Sequence, residues 1–219
     1  MPKQKVKELY TIPSWAPPNN AQPLAEGSLD VKNAKGYGMP MFEEYIWPHI
    51  SSYFKKQSEV LDVGSGTGRH SKFFSSRVKT ATAIDHCTEP QLGGYDQKLI
   101  KDISNVEFVN MDFMNYYPQK RYDVVFLSGS FYHLFQCYKD KAFKKLLTFM
   151  KQNNSVLILV EGPDITRPYC LSSLLEDHSV TLLKKVPIPQ FGPAVGSTVS
   201  VITLGTNVKV KKDGQLNET

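Results

Sequence analysis

A glycine-rich turn and two acidic residues in the first half of the chain have types and spacing that suit ligand binding. The mainly apolar residues 60–63 lead into glycines at positions 64, 66 and 68, and Asp85 and Asp112 each end a later apolar run. A glycine turn lets the backbone pass close to a ligand, because glycine has no Cβ. A carboxylate accepts hydrogen bonds from ribose hydroxyls or from an adenine amino group. The set predicts a site for a cofactor that contains a nucleoside.

The spacing of the glycines distinguishes between two kinds of cofactor. A dinucleotide fingerprint, G-x-G-x-x-G, that begins at Gly64 requires a third glycine at position 69, and that residue is Arg69. The third glycine of the turn is Gly68 instead. The turn therefore disfavours a nicotinamide dinucleotide.

These side chains need a scaffold that brings them together, and the rest of the chain predicts a parallel sheet. Short apolar runs with little alternation are typical of strands that are covered on both faces. We predict strands at 60–63, 80–84, 106–111, 122–127, 155–160 and 199–204, with an extended segment at 180–186. We predict helices at 39–56, from the glycine turn through 73–74, and at 97–103, 135–151 and 171–177. The alternation indicates a doubly wound α/β sheet, which binds ligands at the carboxyl ends of its strands.

The 219 residues suit one domain with a sizeable core. We predict a proline-containing arm at 1–38, the domain itself at 39–206, and a flexible polar tail at 207–219. Tyr37 lies between two glycines in the arm, a context that suits a hinged lid, and we predict that it touches the cofactor when the lid closes.

Composition narrows the partners and the compartment. The net charge of +5 is modest, and several lysines lie near the two ends, so we expect no nucleic-acid partner. The three cysteines form no CxxC motif, so we expect no zinc site and a reducing compartment. The N-terminus lacks the apolar core of a signal peptide, and no run approaches a membrane span. We predict a soluble, cytoplasmic protein.

Residues 60–69, Asp85, Asp112 with Phe113, and residues 122–125 resemble the successive motifs of the class I S-adenosylmethionine-dependent methyltransferases. The resemblance covers about residues 56–160 and is most specific in the glycine turn. It implies the Rossmann-like methyltransferase fold, a mostly parallel, seven-stranded sheet of order 3-2-1-4-5-7-6 whose last strand is antiparallel. It implies S-adenosylmethionine as the cofactor and S-adenosylhomocysteine as the product.

The same resemblance assigns roles by position. It implies that the glycine turn and Asp62 hold the methionine end of the cofactor, that Asp85 binds the ribose, and that Asp112 binds the adenine. Ser128 is expected beside the sulfonium. The complete set of predicted cofactor-binding residues is Tyr37, Asp62, Gly64, Ser65, Gly66, Asp85, His86, Met111, Asp112, Phe113 and Ser128.

Methyl transfer from a sulfonium is a direct displacement, so the protein mainly positions the reactants and excludes water. A base assists only where the acceptor carries a proton. His133 follows the fourth predicted strand and titrates near neutrality, so we predict that it is this base, with Tyr132 beside it in the acceptor pocket. The alternative for His133 is a packed residue at the start of a helix or a residue of the cofactor shell.

The absence of several known motifs limits which acceptors and metals are expected. No D/N-P-P-Y/F follows the fourth strand, no Pro-Cys nucleophile is present, and position 128 lacks the metal-binding aspartate of catechol-type enzymes, so we predict no metal. We expect methylation of a nitrogen or oxygen of a small molecule.

Two alternatives stay open. Gly36-Tyr37-Gly38, Asp112-Phe113 and the histidine after the fourth strand are similar to features of the protein N-terminal α-amine methyltransferases, but Glu161-Gly162 replaces their Asp-Asn pair. Glu161 itself is a candidate to hold a cationic acceptor. The alternative of another class is a cofactor-binding scaffold subunit that performs no chemistry.

Overall fold

The structure is a computed structural model, and it describes residues 39–87, 97–151, 154–161, 169–178, 180–188 and 197–204. The predicted arm with Tyr37 and the predicted polar tail both lie outside these ranges.

Seven strands form one sheet in the order β3-β2-β1-β4-β5-β7-β6. Their bounds are β1 Glu59–Val63, β2 Thr80–Asp85, β3 Val106–Asn110, β4 Val124–Ser128, β5 Val156–Glu161, β6 Val180–Ile188 and β7 Ser197–Leu204. Strand β7 runs antiparallel to β5 and β6, and the other neighbours pair in parallel. The predicted strand order and the predicted antiparallel strand are both confirmed.

Helical segments connect these strands. Segment α1 (39–53) consists of α-helical turns Met39–Met41 and Trp47–Ile50 on either side of a π-helical turn, Phe42–Ile46, and it ends in the 3-10 turn Ser51–Tyr53. The other helices are α2 Arg69–Ser75, α3 Gln97–Ile100, α4 Phe131–Tyr138, α5 Asp140–Phe149 and α6 Leu171–Asp177. The helices predicted at 39–56 and 97–103 are present, and each ends three residues earlier than predicted.

The single helix predicted over 135–151 is wrong, because the chain forms two helices there. Lys139 separates α4 from α5 with a φ of 53° and a ψ of −141°, which no α-helix accommodates. Asp140 then begins α5, and its carboxylate lies 2.6 Å from the ring nitrogen Nε2 of His178. Because α4 begins four residues before the predicted start, it includes His133.

Both faces of the sheet are buried, as the short apolar runs predicted. Phe126 of β4 packs edge-on against Phe42 of α1, with ring centroids 6.0 Å apart, while the adjacent Val125 and Leu127 belong to the apolar layer beneath α4 and α5. Alternate residues of one strand therefore supply two separate layers of core. Within the described ranges, no helix has the length and apolar character needed to cross a membrane.

The end of β1 and the start of α4 are joined by a very close contact. Gly64 has a φ of +68°, and a Cβ at this position would lie 2.5 Å from the Cβ of Ser130. The Ser130 hydroxyl donates to the carbonyl oxygen of Val63 at 2.9 Å. Packing against Ser130 therefore requires glycine at position 64, whether or not a ligand also approaches the backbone there.

We predict that Gly64→Ala lowers the free energy of unfolding by roughly 2–4 kcal/mol, since it adds a steric clash to an unfavourable φ. Gly129→Ala is the matched control, because Gly129 has a similar φ of +69° and no described atom lies within 4 Å of its Cβ position. The control should cost about 1–2 kcal/mol. Urea denaturation measures both values, and equal costs would contradict the role given to the Ser130 contact.

Candidate functional site

A cavity of about 360 Å³ opens at the carboxyl edge of the sheet. The ends of β1, β2 and β3 form one wall and α4 forms the other. This position is the switch point of the topology, because the chain leaves the adjacent strands β1 and β4 towards opposite edges of the sheet. The volume lies within the range of small-molecule sites.

The glycine turn docks on the end of β2. The backbone N–H groups of Gly64 and Ser65 donate to the Ile84 carbonyl at 2.9 and 3.2 Å, and the Gly66 N–H donates to Asp85 Oδ2 at 2.9 Å. The Ser65 hydroxyl is buried and has no hydrogen-bond partner among the described residues. Buried polar groups in proteins are nearly always paired, so this oxygen is suited to a polar group of a ligand.

Asp85 lies at the cavity with its carboxylate held by two backbone groups. Its Oδ2 accepts from Gly66, and its Oδ1 accepts from the Cys87 N–H at 2.8 Å. His86 also lines the cavity, with Nδ1 3.4 Å from Asp85 Oδ1. Each carboxylate oxygen has a second lone pair, so Asp85 can still accept hydrogen bonds from a ligand.

Asp112 and its neighbours form the end of the cavity nearest β3. Asp112 Oδ1 accepts from the Met114 N–H at 2.9 Å and so caps the following 3-10 turn, while Oδ2 accepts from the hydroxyl of Tyr138 on α4. Phe113 is buried and meets the Tyr138 ring edge-on at 5.8 Å, and Met111 is 40% exposed. The structure thus brings the predicted residues at positions 111–113 together with Asp85 in one cavity.

Asp62 lies beneath the turn and is buried, and its carboxylate accepts from the Ser71 hydroxyl at 2.7 Å. Burial raises the pKa of Asp62 to about 7; the hydrogen bond from Ser71 opposes the shift and the charge of Asp85 adds to it. The cavity wall, as far as the described residues form it, does not include Asp62. This residue therefore joins β1 to α2 and supports the turn from below.

His133 lies in the cavity wall, as predicted for a residue that acts on a ligand. Partial burial lowers the pKa of His133 below its usual value, which favours the neutral imidazole at pH 7. The hydroxyl of Tyr132 accepts instead from Gln136 Nε2, one turn along α4, at 3.0 Å. Tyr132 and Ser128 are not among the described wall residues, although both lie near the carboxyl edge of the sheet.

Glu161 has a structural role that the sequence did not indicate. Its side chain is buried at the end of β5, and its two carboxylate oxygens accept from the backbone N–H groups of Phe131 and Tyr132, each at 3.2 Å. The carboxylate therefore caps the N-terminus of α4, where negative charge is favoured. Glu161 is also absent from the described wall of the cavity, so it is poorly placed to bind a cationic acceptor there.

Sequence reasoning missed the contribution of α4 to the wall beyond His133. The missed residues of this helix are Leu134, Cys137 and Tyr138. Leu134, Cys137 and Tyr138 follow the i, i+3, i+4 spacing of one helical face, and His133 lies one turn before Cys137 on the same side. The spacing was readable, but a predicted helix start at position 135 placed His133 and Leu134 outside the helix.

Comparisons with known proteins agree with this geometry. Residues 60–153 match the family model described as a methyltransferase domain. Malonyl-[acyl-carrier protein] O-methyltransferase 1 of Ilyobacter polytropus is 31% identical over 77 residues, which are 35% of this chain and 29% of that protein. The chain thus matches less than a third of the length of this curated relative.

Solved structures share the fold at low identity. The N-methyltransferase NodS of Bradyrhizobium japonicum, in complex with S-adenosylhomocysteine, has a TM-score of 0.62 at 14% identity, over 92% of this chain and 96% of that one. An S-adenosylmethionine-dependent methyltransferase of Clostridium acetobutylicum has a TM-score of 0.60 at 13% identity, over 76% of this chain and 92% of that one.

The sheet order and the switch-point cavity define a Rossmann-like α/β domain. Residues 60–153, its central part, match the methyltransferase-domain model. The predicted fold is confirmed, and over these residues the family model agrees with the predicted family. Among the described residues, no three His, Cys, Asp or Glu side chains are arranged to hold a metal ion.

The raised pKa of Asp62 predicts how stability depends on pH. The folded-state pKa of about 7 exceeds the reference value of 3.8, so the folded protein holds a proton that the unfolded chain releases. The proton on Asp62 stabilises the folded state. This stabilisation is complete below about pH 4 and is lost as the pH rises through about 7.

We therefore expect the free energy of unfolding of the wild type, relative to that of Asp62→Asn, to fall by on the order of 2–4 kcal/mol over this range. Denaturation at several pH values measures it. Asp102→Asn is the control, because Asp102 is exposed and its substitution should leave the relative stability constant. A pH-independent difference for Asp62→Asn would refute the interpretation.

Proposed function

We propose that the protein binds S-adenosylmethionine in this cavity and transfers the methyl group to a nitrogen or oxygen of a small-molecule acceptor. One observation carries the proposal: Asp85 and Asp112 line a single cavity beside the glycine turn. Asp85 is held by two backbone N–H groups, and Asp112 by one backbone N–H and the Tyr138 hydroxyl. This arrangement is suited to a nucleoside with donors at both its ribose and its base.

In this proposal, each part of S-adenosylmethionine is bound by its own residues. Asp85 accepts from the ribose hydroxyls, while Asp112 accepts from the adenine amino group beside the Phe113 ring. The methionine end lies towards Gly64, with the partnerless Ser65 hydroxyl as one of its polar contacts. Relatives with the same fold support this assignment, since NodS was crystallised with S-adenosylhomocysteine.

The chain's role in the reaction is to position the reactants and to accept a proton. The bound cofactor supplies a methyl group activated by a sulfonium. The apolar part of the wall excludes water from the reactants. His133, kept neutral by partial burial, takes the proton from an acceptor hydroxyl or ammonium group.

The acceptor is proposed from chemistry and from the names of relatives. NodS is named as an N-methyltransferase, and the Ilyobacter relative is named as a malonyl-[acyl-carrier protein] O-methyltransferase. These names favour neither nitrogen nor oxygen as the atom that is methylated. The engagement of Glu161 with the backbone of α4 does not support recognition of a peptide amine by that carboxylate. We therefore propose a small molecule as the methyl acceptor. That the protein needs no metal and is located in the cytoplasm remain predictions.

Calorimetric titration tests cofactor binding. We expect S-adenosylmethionine and S-adenosylhomocysteine to bind and NAD not to bind. Asp85→Ala should weaken binding by on the order of 2–4 kcal/mol, because two hydrogen bonds to a charged acceptor are lost. Asp102→Ala is the matched control with no expected effect. Unchanged affinity of Asp85→Ala would exclude the ribose assignment, and wild-type protein that binds neither compound would exclude the proposal.

Turnover separates an enzyme from a cofactor-binding scaffold. Once a screen with labelled S-adenosylmethionine has found an acceptor, His133→Ala should lower kcat by about 100-fold or more with little change in cofactor affinity. The wild-type rate should decline only below the usual pH range of histidine titration, because the pKa of His133 is lowered. His49→Ala, on α1, is the control. Equal kcat in His133→Ala would return His133 to a structural role.

A further inference from the structure

Tyr138 meets Asp112 across the end of the cavity. Tyr138 is the last residue of α4, and Asp112 follows β3 on the opposite wall. The Tyr138 hydroxyl donates to Asp112 Oδ2, and the Tyr138 ring packs edge-on against Phe113. Both Tyr138 and Asp112 line the cavity, so this hydrogen bond is part of its wall.

The direction of this hydrogen bond determines what the wall offers to a ligand. A tyrosine hydroxyl has one proton, and here that proton points at the carboxylate. The phenol oxygen can then present only lone pairs to the cavity, and the carboxylate accepts only. The second carboxylate oxygen is held by the Met114 N–H at 2.9 Å, which limits rotation of the group. The Asp112 carboxylate and the Tyr138 phenol oxygen therefore place two neighbouring hydrogen-bond acceptors at this end of the cavity.

We propose that Tyr138 is a specificity-determining residue that selects a 6-amino purine over a 6-oxo purine in the cofactor. The inference rests on the proposed function, which places the purine beside Asp112. An exocyclic amino group donates to the acceptors of Asp112 and Tyr138. A 6-oxo group is itself an acceptor, so it would bring its oxygen against the acceptor oxygens of Asp112 and Tyr138 without a hydrogen bond, which is unfavourable.

The test compares two nucleosides in the same calorimetric assay, S-adenosyl-L-homocysteine and S-inosyl-L-homocysteine. The wild type should prefer the adenosyl compound by on the order of tenfold to a hundredfold. Tyr138→Phe should reduce this preference by about fivefold or more, because the second acceptor is lost and Asp112 can rotate. The ratio of affinities is the readout, since a general loosening of the cavity weakens both compounds together.

Two further variants make the test independent of the folding of Tyr138→Phe. Tyr116→Phe removes a hydroxyl that is paired with Tyr122, outside the described cavity wall, and should keep the wild-type ratio. Asp112→Asn leaves Tyr138 intact and places a donor at this end of the cavity, either the amide or the released tyrosine proton. Its preference should shift towards the inosyl compound.

An unchanged ratio in Tyr138→Phe would overturn the assignment of Tyr138, even where Asp112→Asn shifts the ratio. If Tyr138→Phe does not fold, an unchanged ratio in Asp112→Asn would overturn it. A different result separates the two proposals: a wild type that binds neither nucleoside would overturn cofactor binding itself. A wild type that binds the adenosyl compound but shows the same affinity for the inosyl compound would overturn only the specificity role.

Discussion

The close contact between Gly64 and Ser130 is the constraint on which the cavity depends. It joins the end of β1 to the start of α4, and the Ser130 hydroxyl reinforces it through the Val63 carbonyl. Because β1 and β4 are neighbours whose connections run in opposite directions, the glycine turn and the helix that carries His133 face each other across one crevice. A larger residue at position 64 would separate these two walls.

Three carboxylates near the ends of strands are held in the same way, by hydrogen bonds from the backbone, but have different roles. Asp85, Asp112 and Glu161 each accept hydrogen bonds from backbone N–H groups, whose positions are set by the secondary structure. Such donors compensate for the cost of burying part of a charge and remove the freedom of the side chain to rotate. Asp85 and Asp112 lie in the cavity wall, whereas Glu161 is buried, is absent from the described wall and caps α4. Residue type alone could not separate these roles.

The fold is clear from the comparisons, whereas the acceptor is proposed from chemistry. Structures at 13–14% identity share the sheet because the two buried faces and the switch point constrain the apolar pattern more than the identity of each residue. Function depends on a few side chains grafted onto that frame. Here α4 contributes an imidazole and a phenol to the cavity wall through His133 and Tyr138, whereas the ends of the strands contribute carboxylates.

The doubly wound α/β sheet, the glycine turn and the two carboxylates at Asp85 and Asp112 could be predicted from the residues, since each depends on local pattern and on the rule that parallel strands end at one edge. The order of the strands was predicted from the family resemblance. Other features became visible only in the folded chain. The break at Lys139 depends on a single backbone angle. The cap from Glu161 and the hydrogen bond from Tyr138 to Asp112 join residues 26 to 30 positions apart. Such features leave no periodic signal, because they arise where separate elements meet and must satisfy one another's polar groups.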